Sequence, residues 1–268
     1  MRWPGCLSRR QAFLLSVGKG SPTPIFIENP MQIKTRGIVL HKTKYSENSV
    51  IVNIFTREAG VQSFIVKGAY SKARRGTMAL LENLSMVEVV FDDKGQNIKY
   101  FREITLRYTY QLIPFDFVRR TLFIFYNELI YKILREFRAD AVLYDFVEKA
   151  LRELDDETAQ LTDIHLRFMV RLAHEMGIFP ANNYSDYNAI FSIDESCFVH
   201  EYFEYPNFLS REASAYLWQL MNEEDVSVMP PKVVRNELMY GLLRYFEEHN
   251  SQIGKIESVE ILSQLLSE

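Results

Sequence analysis

Cysteine and histidine are scarce in this 268-residue chain, with two of the first and five of the second. Cys6 and Cys197 lie too far apart in sequence and context to suggest a disulfide framework, nothing points to secretion, and a reducing cytoplasm fits. No apolar stretch approaches the roughly 18 residues that cross a bilayer, so a membrane span is excluded on length. A Walker-type glycine loop is missing, and "HEMG" at 174–177 is not the HExxH of a zinc hydrolase. "CFVH" gives Cys197 and His200 the spacing of half a zinc site, but the other half is missing, and His165 and His174 fall on a predicted helix. No metal is therefore assigned. As nucleophile and base the same pair fares no better, since a lone Cys in an aromatic segment is more often a small buried hydrophobe. "LDDE" at 154–157 reads as an acidic helix end. Nothing here asks for an enzyme or a cofactor.

What is present is the composition of a soluble globular protein, 47% apolar and 25% charged, at a length that suggests two domains. The net charge of -4 averages unlike parts. Residues 1–30 hold four Lys/Arg against one Asp/Glu, residues 31–110 hold 13 against seven, and residues 111–268 hold 14 against 27. A basic front on an acidic back suggests that one part meets a polyanion and the other something else. Residues 1–30 superficially suggest a signal peptide, but the apolar run from Ala12 to Val17 is short and lacks a cleavage site. They read as a poorly ordered extension or a misassigned start, with Met31 opening the patterned sequence.

From 31 to 110 the alternation of β-branched and aromatic residues predicts five strands: "IKTRGIVLH", "NSVIVNIFT", "GVQSFIVKG", "SMVEVVFDD" and "NIKYFREITL". A loop and short helix fit between the third and fourth. That order is the one expected of an OB-type barrel. After Pro114 the period becomes helical, with Leu122, Phe125, Leu129, Ile133 and Phe137 on one stripe. Further helices are predicted at Ala141–Leu154, Gln160–Met176, Ser210–Asn222, Pro231–Asn250 and Ser258–Leu266, with Gly177 as a C-cap, Ser210 as an N-cap and Pro231 in a first turn. The stretch at about 180–208 is rich in Asn, Asp, Ser and aromatics, and reads as an ordered irregular segment or small ribbon. The fold class is thus α+β, a five-stranded OB barrel over 31–110 followed by an all-α domain over 111–268.

The stretch "KGAYSKARRG", residues 67–76, gathers Lys67, Lys72, Arg74 and Arg75. On an arbitrary surface such a run is a solvated loop. Here the rest of the predicted barrel adds Lys34, Arg36, Lys42, Lys44, Lys99, Arg102 and Arg107, and OB barrels bind single strands with a basic groove and aromatic faces. Tyr45, Tyr70, Tyr100 and Phe101 are candidates for stacking, with core packing the competing role for at least half of them. Candidate nucleic-acid contacts are Lys67, Lys72, Arg74, Arg75, Lys42, Lys44, Arg36 and Tyr70. In the acidic half, Arg119, Arg120, Lys132, Arg135 and Arg138 interleave with Phe117, Phe123 and Phe137, as a surface for an acidic peptide with a hydrophobic end would require.

The residues from Gly37 to Gly76, "GIVLHKTKYSENSVIVNIFTREAGVQSFIVKGAYSKARRG", resemble the amino-terminal barrel of the RecO family of DNA repair proteins. "RFMVRLAHEMGIFP" at 167–180 resembles that family's helix leading into a "GY.P" turn, and "LLRYFEEHNSQIGKIESVEILSQLL" its carboxy-terminal region. The likeness covers nearly the whole chain after Met31. It implies a recombination mediator that binds single- and double-stranded DNA, anneals complementary strands, and with RecR helps RecA replace single-strand-binding protein, whose acidic, hydrophobic C-terminal tail docks on the helical domain. It also implies a cytoplasmic protein that associates with the nucleoid during repair. Many members carry a four-Cys zinc module after the turn. Here only Cys197 remains, so this chain resembles the zinc-less branch, with Tyr184, Tyr187 and Phe191 packing in the metal's place. The competing readings are a protein-interaction adaptor that never meets nucleic acid, and an RNA-binding OB protein.

Overall fold

The computed structural model describes residues 31–135, 138–200, 207–223, 229–251 and 253–265. The expected extension over 1–30, Phe137 of the helical stripe and the terminal Leu266 lie outside these residues. Six strands form one curled sheet: β1 (Met31–Ser46), β2 (Ser49–Thr56), β3 (Gly60–Lys67), β4 (Met86–Asp93), β5 (Ile98–Lys99) and β6 (Phe101–Leu106). Their order is β5-β3-β2-β1-β4-β6, which is an OB barrel.

The expected fifth strand is in fact two. Ile98 and Lys99 pair in parallel with Ser63 and Phe64 of β3, whereas residues 101–106 run antiparallel to β4. A continuous run thus passes from one edge of the sheet to the other through Tyr100 alone, and closes the barrel. The break follows from this change of partner. Lys99 points inward, and its ammonium is held by the Gln96 carbonyl at 3.0 Å and Asp93 at 3.2 Å.

β1 is longer than expected because it serves both neighbours. Its first half pairs with β4, its second half with β2, and the register shifts between Val39 and His41. This explains the unbroken apolar run "IVL". Val39 faces the barrel interior with Val52, Ile54, Phe64 and Phe91, while Ile38 and Leu40 face outward into a second core shared with the helices. A strand covered on both faces has no polar face to alternate.

Between β3 and β4 a 3-10 turn (Lys72–Arg74) leads into the short helix α1 (Arg75–Leu80). The helices after the barrel are α2 (Phe117–Leu134), α3 (Ala141–Leu154), α4 (Ile164–Glu175), α5 (Arg211–Met221), α6 (Lys232–His249) and α7 (Ser258–Leu265). Leu122, Phe125, Leu129 and Ile133 of the predicted stripe are buried. The Ser210 hydroxyl accepts from the Ala213 amide as an N-cap. Gly177 follows α4 with φ of 73°, and the Ile178 amide returns to the Ala173 carbonyl at 3.0 Å. Pro231 occupies the N-cap of α6 and not its first turn.

Within 180–208 the described residues include a ribbon, β7 (Ile190–Ser192) with β8 (Cys197–Val199). Tyr184 stacks on Trp218 at 5.1 Å and meets Phe198 edge-on, and Phe191 is buried against Phe198 and Tyr245. The Asn183 amide clasps β8 by donating to the Phe198 carbonyl at 2.8 Å and accepting from its N–H at 2.9 Å. Tyr187 instead stacks on His200 at the surface. Among the described residues no three His, Cys, Asp or Glu side chains form a metal-binding group, and no helix is long and apolar enough to cross a membrane.

Candidate nucleic-acid interface

The β1–β2 hairpin and the loop after β3 meet at one end of the barrel. Ser46 pairs with Ser49, and Ser49 with Lys67, so these three residues lie level across three adjacent strands. The Ala69 amide donates to the Asn48 carbonyl at 3.0 Å, which ties the basic loop to the hairpin tip. Gly68 makes the turn out of β3 with φ of 64°, a conformation that suits glycine. Tyr70 and the 3-10 turn follow directly, so Lys44, Lys67, Lys72, Arg74 and Arg75 share one rim. All five are exposed.

Their electrostatic state sets them apart from much of the barrel. Lys34 pairs with Glu88 at 2.8 Å, Lys42 with Glu82 at 2.8 Å and Arg102 with Asp92 at 2.7 Å. Lys99 is buried on Asp93. Among the described residues no carboxylate lies within 4 Å of Lys44, Lys67, Lys72, Arg74 or Arg75. Lys42 thus belongs to the rim by position but has its charge answered.

Arg36 does not belong to the rim. Its guanidinium donates to Asp145 at 2.6 Å and Glu148 at 3.0 Å on α3. Arg57 forks onto the same Asp145. Hydrogen bonds from Arg57, then the positive charges of Arg36 and Arg57, hold the Asp145 carboxyl below its ordinary range against the opposing effect of burial. Arg36 is a joint between barrel and helices, and with its charge answered by two carboxylates it is the least available of the candidate phosphate contacts.

The tyrosines sort cleanly. Phe101 is stacked against Phe64 in the core at 4.3 Å, whereas Tyr45, Tyr70 and Tyr100 are 61%, 60% and 50% exposed. The Lys67 ammonium stands 5.4 Å from the centre of the Tyr100 ring. Tyr108 and Tyr110, which carry no role in the sequence reading, brace the chain between the domains. Tyr108 donates to Asp155 at 2.9 Å and Tyr110 to the Leu84 carbonyl at 2.8 Å.

The basic set of the helical half does not assemble into one surface. Arg119 is buried, 6% exposed, and donates to the Leu154 carbonyl at 2.5 Å, so it is a structural residue between α2 and the end of α3. Position 119 continues the stripe of Leu122, Tyr126, Leu129 and Ile133, which is the signal that marks it as inward. Lys132 is held by Glu128 at 2.9 Å and the Lys255 carbonyl. Arg120 and Arg135 remain exposed. A separate groove of about 700 Å³ opens between α3, α4 and α5, with Phe146, Phe179, Leu220 and Met221 among its apolar walls. Its rim carries Lys149 and Arg171 against Asp145, Glu153, Glu175 and Glu223.

Comparison with known proteins agrees with this architecture. A family model described as "Recombination protein O N terminal" matches residues 31–110, and one described as "Recombination protein O C terminal" matches 114–186. A DNA repair protein RecO of Phocaeicola vulgatus is 29% identical over 240 residues, covering 87% of this chain and 99% of the relative. Another from Flavobacterium psychrophilum is 26% identical over 242 residues, covering 88% and 100%. A third, from Porphyromonas gingivalis, is 31% identical over 153 residues, covering 56% and 62%.

Proposed function

The chain belongs to the RecO family and so to DNA repair and recombination, and from that premise we propose that it is a mediator that binds single- and double-stranded DNA and anneals complementary strands. The observation that carries this reading is the rim of five exposed cations without carboxylate partners, in a chain whose net charge is negative. Unpaired Lys and Arg are what phosphates exchange for counterions, and such contacts carry no sequence preference. Lys67, Lys72, Arg74 and Arg75, with Lys44 and the more weakly available Lys42 beside them, hold the phosphates of two strands and screen their repulsion while bases pair. Tyr70 stands among them. The protein makes and breaks no bond in this role.

With RecR, the protein helps RecA displace single-strand-binding protein. The acidic C-terminal tail of that protein is the partner proposed for the helical half. The groove between α3, α4 and α5 is a poor seat for it, since Arg171 is already paired with Glu223 and Lys149 faces Glu153 and Glu175 there. The exposed Arg120 of α2 and Arg135 at its C-cap are the contacts retained. The test is the annealing rate of complementary oligonucleotides coated with the cognate single-strand-binding protein. Acceleration by the wild type and its loss on changing Lys67, Lys72, Arg74 and Arg75 to Ala supports the reading. If neither protein accelerates annealing while both still bind the coating protein, the adaptor reading takes its place.

A further inference from the structure

We infer that Tyr45, Tyr70 and Tyr100 form a stacking row for unpaired bases, so that the basic rim favours single strands over duplex DNA. This rests on the phosphate-binding reading above and assigns a second, chemically distinct layer to the same site. The first observation is the placement of Tyr45. β1 and β2 pair at Lys44 with Val50 and again at Ser46 with Ser49, and the register shift between them leaves Tyr45 as the extra residue. A bulge of this kind re-aims the side chain it carries. Here it leaves a large aromatic ring 61% exposed beside a cluster of cations.

The second observation is the break in the last strand. Tyr100 is the residue at which the chain leaves β3 for β4, one position past the pair Phe64–Lys99. Lys99 turns inward there, which sets Tyr100 on the outer face, where Lys67 stands against its ring. With strands about 4.8 Å apart, Tyr45 and Tyr100 are separated by three strand spacings, roughly 14 Å across the sheet, and Tyr100 lies level with Ile65, two residues along β3 from Lys67. Tyr70 adjoins the row through the Ala69–Asn48 hydrogen bond. None of the three rings is needed by the core.

Two uses of these rings compete. Scattered exposed aromatics on a soluble protein need no explanation. Three of them on one rim, interleaved with five unanswered cations, match the two requirements of a single-strand site: charge that tracks the backbone and rings on which bases stack. Duplex DNA keeps its bases stacked on one another and presents phosphates alone. The cations therefore serve both forms of DNA, and the tyrosines serve one.

The experiment compares three probes of equal length: oligothymidylate, a sugar-phosphate strand lacking bases, and duplex DNA. The proteins are the wild type, a variant with Tyr45, Tyr70 and Tyr100 changed to Ala, and one with the same three changed to Phe. Wild type should prefer oligothymidylate to the abasic strand. The Ala variant should lose about fivefold in oligothymidylate affinity per tyrosine, on the order of 100-fold in all, and with it the preference. Its loss on the abasic strand and on duplex DNA should be much smaller and its salt dependence that of wild type, an unchanged urea midpoint should show that it is folded, and the Phe variant should keep the preference. Equal wild-type affinity for oligothymidylate and the abasic strand overturns the stacking row and leaves the phosphate reading standing. Equal loss by the Ala variant on all three probes also overturns it. No binding by wild type to any probe overturns both.

Discussion

Arg57 and Asp145 face each other across the joint between barrel and helices, the guanidinium Nε and Nη2 reaching the two carboxylate oxygens at 2.9 and 2.7 Å. Arg36 approaches the same carboxylate and extends to Glu148, itself bound by Arg152 at 3.0 Å. Two arginines, Arg36 within β1 and Arg57 just past the end of β2, thus grip one face of α3. The apolar contacts of Ile38, Leu40 and Phe55 lie beside this grip, and Phe55 meets Tyr144 at 5.5 Å. Barrel and helices are joined by shape and by charge at once.

Replacing Asp145 by Ala should loosen the joint without touching the DNA rim. Loss of this half-exposed carboxylate should cost on the order of 1 kcal/mol, screening by solvent being allowed for. Amide exchange around residues 36 and 57 should quicken, and single-strand affinity should stay at the wild-type value. A clear gain in affinity would mean that Arg36, once released, reaches phosphate, and would return it to the binding set.

Asp155 is the residue on which the passage between domains hangs. Its carboxylate accepts from the backbone amides of Gln111, Leu112 and Ile113 and from the Tyr108 hydroxyl, all at 2.7–2.9 Å. Burial acts to raise its pKa, but these donors outweigh it and hold the carboxyl below its ordinary value. Asp155→Ala strips three amides and a hydroxyl of their acceptor. Only the Ile113 amide is fully buried and the other three donors can turn to water, so at about 1–3 kcal/mol for a buried group left unsatisfied a loss of about 3 kcal/mol is expected, read as a lower urea midpoint. A loss below about 1 kcal/mol would show that water replaces the carboxylate and that the clasp is dispensable.

Strong acid should loosen the seat of α7. Burial works against the charge on Glu128, yet the hydroxyl and amide of Ser258, the amide of Glu257 and the Lys132 ammonium together bring its pKa down to about 2. A carboxyl held lower in the folded than in the unfolded state stabilises the fold above its unfolded value, and that contribution fades as pH falls through the folded value. The window runs from about 4.5 down to about 2. The difference in urea midpoint between wild type and Glu128→Gln should therefore be largest above that window and shrink within it. A difference that stays constant down to pH 2 would contradict the assignment.

Much of the architecture was legible because its causes are local. Alternation marked the strands, a three-to-four period marked the helices, and Ser210 and Gly177 marked helix ends through their own backbone chemistry. Two kinds of feature were not. The break at Tyr100 leaves no trace in an alternating run, because it records which strand lies alongside and not what the chain prefers. The fates of Arg36 and Lys67 were equally hidden, since the carboxylates that occupy Arg36 lie 109 and 112 positions away. A basic residue shows its charge in sequence, but whether that charge is answered is decided by the fold. Arg119 is different: its place on the apolar stripe of α2 was there to be read.

The most direct measurement is the salt dependence of binding to a single-stranded oligonucleotide, for wild type and for the variant with Lys67, Lys72, Arg74 and Arg75 all changed to Ala. Each phosphate contact on a single strand contributes about 0.7 to the slope of log affinity against log salt. If all four side chains hold phosphates, the variant's slope should be shallower by about 2.8, with affinity falling alike for every sequence. An unchanged slope would place the phosphates elsewhere and contradict the account.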